Sequence, residues 1–179
     1  MLLVLLDADV IIDLHKDGVW DKITEKHKIH IPSIILHKEV YYYYNPDGTK
    51  QFIYLKPEIG KTIFEVSCSP DELLTFSQQF DTTLGQEIHT GEKEALVLLQ
   101  KHQDLIFCTC DHTAIQVLAL LDLAERGLSF ESLLRKSGIT KKLEYKHTEA
   151  YFKNNLKMGS IAKIQQKGLK AKTPVKKIR

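Results

Sequence analysis

Two short apolar runs that end in acids most constrain the fold of this 179-residue chain. Residues 2–6 (LLVLL) are followed at once by Asp7, and residues 105–109 (LIFCT) are followed after one residue by Asp111. Apolar runs of this length, bounded by polar residues, are typical of central parallel strands, because both faces of such strands are covered. We therefore expect both acids at the carboxyl ends of buried strands, where open parallel sheets bind their ligands.

Helical segments alternate with these strands along the chain. A further strand is predicted over residues 29–31, stopped by Pro32. The predicted helices start at residues with good N-capping side chains, or directly after them: Asp7 or Asp9, Ser33, Ser69, Thr90, Asp111 and Ser129. The helix from Ser33 is expected to run on through IILHKEVYYY. Strands alternating with helices predict a three-layer α/β fold, with a central parallel sheet flanked by helices.

Residues 45–66 are too long for a simple connection and are predicted to be an insertion beside the site. The tetrapeptide 45–48 (NPDG) is a strong turn signal. Residues 51–55 and 62–66, on either side of a second turn at 57–60, are expected to pair as a hairpin.

Length and composition predict a single domain. The apolar start is interrupted by Asp7 and Asp9, so it is too short for a membrane span and does not resemble a secretory leader. We therefore expect a cytoplasmic protein with no membrane partner. Its three cysteines are odd in number and lack zinc-ligand spacing, which favours small core residues in a reducing compartment.

The net charge of +2 conceals an acidic body and a basic end. Residues 153–179 contain nine Lys or Arg and no acid, a charge of +9, whereas residues 1–152 carry −7. A basic end of this kind is either a phosphate-seeking arm or a solvated tail that aids solubility, and both interpretations stay open.

Four acids stand out because each lies in an apolar or helical context. They are Asp7, Glu39, Glu94 and Asp111. Each taken alone is more simply a helix cap or a surface acid. If the fold gathers them, however, a hard divalent cation is the natural compensation for several carboxylates in one place.

In this respect the chain resembles the PIN-domain nucleases, including VapC-type toxins. The resemblance rests on the pattern hhhhDxxVhhD over residues 3–13, on HKEV, on GEKEALVLL and on the Thr-Cys-Asp at 109–111. It covers residues 1–138, with the inserted hairpin near 45–66, and leaves 139–179 as a helical extension with a basic tail. It implies a central parallel sheet and an acidic cluster that binds Mg²⁺ or Mn²⁺ and cleaves RNA.

The resemblance also implies roles for particular residues. Asp7, Glu39, Glu94 and Asp111 would be the catalytic, metal-binding acids. Asp9, Glu92 and Thr109 are possible accessory residues; Glu92 competes with Glu94 for the third place, and Glu94 is preferred because it directly precedes the ALVLL run.

The resulting prediction is a divalent-metal-dependent endoribonuclease, the toxin of a toxin–antitoxin pair, with an antitoxin protein and a second copy as further partners. Two alternatives stay open. LLDADV also has the form of the first motif of haloacid-dehalogenase-like phosphatases, with Asp7 as nucleophile and Asp9 as acid/base. A PIN-like binding module without turnover is the other.

The tyrosine run at 41–44 carries a separate prediction. Aromatic faces hold unpaired nucleotide bases, but consecutive residues point to different sides, so packing of two tyrosines against the fold is favoured over base stacking.

Overall fold

The computed structural model describes residues 1–38 and 41–170. Over these residues the chain forms a five-stranded parallel sheet and a separate two-stranded hairpin. The strands are β1 (Leu3–Leu6), β2 (Lys28–Pro32), β3 (Tyr42–Tyr44), β4 (Lys50–Phe52), β5 (Ile63–Val66), β6 (Leu105–Cys108) and β7 (Gly127–Leu128). The α-helices are α1 (Ala8–Lys16), α2 (Trp20–Lys26), α3 (Ser33–Lys38), α4 (Pro70–Ser77), α5 (Thr82–Glu87), α6 (Thr90–Lys101), α7 (His112–Leu120), α8 (Phe130–Lys136) and α9 (Glu149–Ile164).

The parallel sheet has the order β5-β2-β1-β6-β7, with β1 at its centre. Alternate residues of β1 face opposite layers of helices, as the two-residue period of a strand requires. Val4 and Leu6 pack in a core that includes residues of α1, α2 and α8, whereas Leu5 packs in a second core with residues of α6 and α7. The predicted three-layer α/β fold is therefore confirmed.

Local sequence signals account for most helix starts. Ser69 forms a capping box with Glu72, Asp111 accepts from the N–H of Ala114, and Ser129 accepts from the N–H of Ser132. Each side chain satisfies a backbone donor that the first turn of a helix leaves free. The helix expected from Thr90 has His89 as its N-cap instead.

Two predictions between residues 33 and 66 are wrong. The helix from Ser33 is described as far as Lys38 and does not run on through the tyrosines, because those at 42–44 form β3. β4 pairs with β3 and not with the segment at 62–66, while β5 joins the edge of the central sheet beside β2. Which strands pair depends on where each segment packs in the folded protein, and the positions of turns in the sequence do not give that information.

The C-terminal segment is largely part of the folded body. α9 lies against α7 so closely that a Cβ at Gly159 would fall 2.1 Å from the carbonyl oxygen of Gln116. After α9, Gly168 accepts from the backbone N–H of Asp81 at 2.9 Å and donates to the Asp81 side chain at 3.1 Å. A truncation from residue 153 would thus remove most of a packed helix. The rest of the predicted basic tail, residues 171–179, lies outside the described residues.

The cysteines lie where the sequence predicts small core residues. Cys108 and Cys110 are buried, Cys68 is half-buried, and all three are free thiols. No helix within the described part of the chain is long and apolar enough to cross a membrane.

Candidate functional site

The centre of the sheet is the point where the chain reverses its direction of winding. From β1 the chain moves to β2 and β5 on one side, and β6 and β7 then lie on the other side. β1 and β6 are parallel neighbours, with Leu6 paired to Cys108, so both strands reach their carboxyl ends together. Ligands of open α/β sheets bind in the crevice at such a switch point.

Asp7 occupies this crevice as the residue directly after β1. It is buried and is the N-cap of α1, where its Oδ1 accepts from the backbone N–H of Ala8 at 2.7 Å. Its Oδ2 accepts from the hydroxyl of Thr109 at 2.8 Å. Burial raises the pKa of Asp7 to about 6, against the lowering effect of these two hydrogen bonds.

Thr109 connects the two strand ends. Its hydroxyl donates to Asp7 and accepts from the backbone N–H of Asp111 at 3.0 Å. Asp111 is the N-cap of α7, and its Oδ1 accepts from the N–H of Ala114 at 2.8 Å. The Thr-Cys-Asp ending therefore fixes the position of Asp111 relative to Asp7 through a single hydroxyl group.

A cavity of about 190 Å³ opens between these residues. Its walls come from four parts of the chain: the start of α1, α3, the start of α6 and the start of α7. The residues that line it are Asp7, Ala8, Asp9, Ile35, His89, Gly91, Glu92 and Asp111. Four of these eight are acids, and none of the described lining residues is a lysine or arginine.

Glu92 is the acid that α6 contributes to this cavity. It is 5% exposed, and its Oε2 accepts from the backbone N–H of His89 at 3.0 Å in a capping box. Burial, followed by the negative charges of Asp111 and Asp7, raises the pKa of Glu92 to about 8. The cavity therefore holds more carboxylates than it can keep ionised without a compensating charge.

Glu94 has a different role in the fold. It is 2% exposed and does not line the cavity; its Oε2 accepts from the N–H of Ile34 at 2.7 Å and its Oε1 from the N–H of Cys68 at 3.4 Å. This carboxylate ties α6 to the start of α3 and to the segment after β5. Of the two acids on α6, Glu92 and not the preferred Glu94 lines the cavity; which of them serves as the third acid of a metal site stays a prediction.

Glu39, predicted as the second metal-binding acid, lies outside the described residues. The helix before it, α3, is described over Ser33–Lys38, and Ile35 of that helix lines the cavity. Asp9 lines the cavity from the first turn of α1 and is exposed. The structure thus brings Asp7, Asp9, Glu92, Thr109 and Asp111 together at one edge of the sheet.

Sequence reasoning missed the residues that position Glu92. A Cβ at Gly91 would fall 2.6 Å from Cγ1 of Ile35, so α6 approaches α3 at a distance that a larger residue would prevent. His89 provides the N-cap and also lines the cavity. The spacing from His89 to Glu92 matches that of a capping box and was the available signal, although His is not among the usual capping residues.

The chemistry of the cavity fits a hard divalent cation, because carboxylate oxygens are the ligands that Mg²⁺ and Mn²⁺ prefer. The described carboxylates do not form a coordination sphere by themselves: among residues 1–38 and 41–170, no group of three or more His, Cys, Asp or Glu is arranged to hold a metal ion. The cavity therefore provides oxygen ligands of the right kind, but the described residues are not arranged as a complete metal site.

Fold and cavity together define an α/β protein with an acidic crevice at the switch point of a parallel sheet. Comparisons of the chain with models of protein families, with curated proteins and with solved structures found no match. The resemblance to PIN-domain nucleases therefore stays a prediction from sequence motifs.

Proposed function

We propose that this protein is a divalent-metal-dependent endoribonuclease, which hydrolyses RNA phosphodiester bonds at the acidic cavity. One observation carries the proposal: Asp7, Glu92 and Asp111, from three separate segments, line one cavity at the sheet's switch point with no lysine or arginine among the described lining residues. Burying carboxylates together is costly unless a cation compensates them. The motifs shared with PIN-domain nucleases make RNA the favoured substrate.

Asp7, Glu92 and Asp111 are the residues proposed to hold Mg²⁺ or Mn²⁺, with Asp9 at the exposed side of the cavity. Such an ion, when bound, lowers the pKa of a water molecule and neutralises charge on the phosphate. The protein's own contribution is positional. The Thr109 hydroxyl holds Asp7 relative to Asp111, and the capping box with His89 holds Glu92.

The wider biological role follows from the resemblance alone. We propose that the protein acts in the cytoplasm as the toxin of a toxin–antitoxin pair, with the antitoxin protein and a second copy of the chain as its partners. A small neighbouring gene that encodes a DNA-binding antitoxin would support this role.

The phosphatase alternative is disfavoured by the surroundings of Asp7. A phosphatase nucleophile of this type needs a nearby cation to bind phosphate, and the described residues that line the cavity include no lysine or arginine.

The test is cleavage of end-labelled RNA by the purified full chain in the presence of Mn²⁺ or Mg²⁺. We expect cleavage that EDTA abolishes and that Asp7→Asn, Glu92→Gln and Asp111→Asn each reduce by about a hundredfold or more, since each removes a charge that would face the ion. Glu94→Gln is the matched control: it lies on the same helix but outside the cavity, so a correctly folded variant should retain activity in proportion to its folded fraction.

Four results would contradict the proposal. Cleavage that persists in EDTA, or at the wild-type rate in Asp111→Asn, would exclude this cavity as a metal-dependent site. Hydrolysis of a small phosphate ester with a trapped phospho-aspartate at residue 7 would establish the phosphatase instead. RNA binding without cleavage under any of the metal conditions would favour a binding module.

A further inference from the structure

The hairpin of β3 and β4 places aromatic side chains on one face at two-residue spacing. Tyr42 pairs with Phe52 and Tyr44 pairs with Lys50, in antiparallel register. Because alternate residues of a strand share a face, Tyr42, Tyr44, Lys50 and Phe52 lie on one side of the hairpin. Tyr54, two residues past the end of β4, extends this side because its ring contacts that of Phe52. We call this surface the aromatic face; it consists of Tyr42, Tyr44, Lys50, Phe52 and Tyr54.

The rings of the aromatic face are uncovered and touch one another. Tyr54 is 76% exposed, Tyr44 58%, Phe52 43% and Tyr42 36%. The ring centroids of Tyr42 and Tyr44 lie 5.7 Å apart, those of Tyr42 and Phe52 6.2 Å, and those of Phe52 and Tyr54 6.5 Å. Contiguous exposed aromatic surface of this kind is uncommon on a soluble protein and is typical of a binding surface.

Packing of the fold does not explain this face. The side of the hairpin that packs against the protein is formed by other residues. Tyr41 is buried and donates from its hydroxyl to the carbonyl oxygen of Ile35, and Ile53 packs against the core. The fold therefore uses the other side of the hairpin, and leaves the four rings to the solvent.

The charge on the face suits a polyanion. The ammonium group of Lys50 lies 3.7 Å from the ring centroid of Tyr42 and 4.8 Å from that of Phe52. A groove of about 490 Å³ beside the face is lined mainly by apolar and aromatic residues, with Lys56 and His37 among them. His37 is paired with Glu65 at 2.9 Å, so Lys56 is the cation that the groove adds to Lys50. The nearby acid Asp47 accepts from the N–H and the hydroxyl of Thr49 within the turn of the hairpin, and these hydrogen bonds keep its pKa below the ordinary value, so it remains a negative charge beside the face.

The aromatic face is also adjacent to the acidic cavity through α3. Ile35 lines the acidic cavity, and the next two residues, Leu36 and His37, line the groove beside the aromatic face. The hydrogen bond from Tyr41 to Ile35, at 2.8 Å, joins the start of the hairpin to the same helix. A flexible ligand on the aromatic face therefore has the acidic cavity on the other side of one short helix.

We propose that the aromatic face binds the bases of single-stranded RNA by stacking and delivers the strand to the acidic cavity. This inference rests on the proposed function and specifies its substrate class as unpaired RNA. Aromatic rings stack on any base, so the face selects unpaired strands and tolerates different sequences. Lys50, placed between two rings, contributes a charge for the phosphate backbone.

The test measures binding without turnover. A fluorescein-labelled single-stranded RNA of about 12 nucleotides, a length within the range that stacking sites cover, is titrated with the full chain in EDTA and followed by anisotropy. We expect Tyr54→Leu and Phe52→Leu each to weaken binding by about fivefold or more, because they lose the ring but keep an apolar side chain. Tyr54→Phe, which keeps the ring, should bind like the wild type.

Tyr145→Leu is the matched control, since Tyr145 is 63% exposed but lies outside the hairpin. Its affinity should not change. The corresponding double-stranded RNA should bind more weakly than the single strand and respond little to Tyr54→Leu. Thermal unfolding of each variant at the wild-type temperature establishes that the fold is retained.

Equal affinities for wild type, Tyr54→Leu and Phe52→Leu would overturn the inference. So would a switch from dimer to monomer in these variants with unchanged RNA affinity, which would assign the face to a second copy of the chain. The two proposals fail separately: metal-dependent cleavage with unaltered binding by the variants rejects only the aromatic face, whereas ring-dependent binding without cleavage rejects only the nuclease.

Discussion

Glu92 and Glu94 lie two residues apart on α6, and their carboxylates meet opposite electrostatic surroundings. Glu92 faces other carboxylates in the acidic cavity, and burial, followed by the charges of Asp111 and Asp7, raises its pKa. Glu94 accepts hydrogen bonds from the backbone N–H groups of Ile34 and Cys68. Neighbouring positions of one helix thus hold an acid that opposes the fold and an acid that supports it.

Replacement of Glu92 by Gln should stabilise the protein at neutral and alkaline pH. The ordinary pKa of 4.5 applies in the unfolded chain, and the folded value is about 8. Between these values the unfolded state loses its proton first, so stability falls as pH rises. We expect Glu92→Gln to be more stable than the wild type by about 1–3 kcal/mol at pH 8, with the difference closing near pH 4. Denaturant titrations at both values measure it; a difference independent of pH would contradict the assignment.

Replacement of Glu94 by Gln should have the reverse effect. The glutamine amide has only one acceptor oxygen, whereas the Glu94 carboxylate has two. The NH₂ group of the glutamine would therefore face the N–H of either Ile34 or Cys68, and two donors would oppose each other. A buried donor without a partner costs about 1–3 kcal/mol. We expect this loss at pH 7 in urea unfolding, with Glu92→Gln measured beside it. Equal effects of the two substitutions on stability would contradict the different surroundings described for Glu92 and Glu94.

Mn²⁺ should stabilise the wild-type fold independently of any cleavage. A ligand that binds only the folded state contributes about 2.7 kcal/mol at a hundred times its Kd, which raises Tm by about 5–10 °C for a chain of this size. The increase in Tm should be smaller at pH 5 than at pH 8, because the raised pKa of Glu92, about 8, leaves this acid protonated at pH 5. Asp111→Asn should abolish most of the shift in differential scanning fluorimetry. A shift of the same size in Asp111→Asn would place the ion elsewhere.

Loss of the Thr109 hydroxyl should affect both acids that it joins. Thr109→Val keeps the shape but leaves Asp7 Oδ2 without its donor and the Asp111 N–H without its acceptor. We expect a destabilisation of about 1–3 kcal/mol in chemical unfolding, together with a higher pKa of Asp7. Thr109→Ser keeps the hydroxyl and serves as the control. Indistinguishable stabilities of the Val and Ser variants would argue against this connection.

Asp13 should stabilise the fold above pH 4 and lose this effect in acid. Burial acts to raise its pKa, but the hydrogen bond and charge of His147, with Lys146 and Lys16, outweigh burial and leave the pKa below its ordinary value of 3.8. His147 Nε2 lies 2.7 Å from Asp13 Oδ2. A lowered folded pKa means that stability is present above the unfolded value and is lost as pH falls through the folded one. Asp13→Asn should therefore cost about 1 kcal/mol at pH 7 and much less at pH 2, as acid titrations of both proteins can measure.

The part of the fold that depends on local patterns could be predicted from sequence. The apolar runs before Asp7 and Asp111 identified the two central strands, and parallel strands bring their carboxyl ends to one edge. Capping residues such as Ser69 and Ser129 predicted helix starts, because each side chain bonds to the backbone of its own first turn.

The choice between Glu92 and Glu94 was beyond such patterns. Residues two apart on a helix point to nearly opposite sides, so the answer depends on which side of α6 faces the sheet edge. The tyrosine run posed the same difficulty. A good N-cap and apolar residues favoured a continued helix, whereas pairing of β3 with β4 exists only once both segments are placed.

The contact between Gly159 and the backbone of Gln116 bears on how the basic end meets other molecules. This close approach packs α9 against α7, so the backbone positions of Lys153, Lys157 and Lys163 are set by a packed helix. Lys153 pairs with Glu149 and Lys163 with Asp122. Five of the nine cationic residues after position 152 lie within the described residues, at or before Lys170. More than half of the positive charge after position 152 therefore belongs to the folded body.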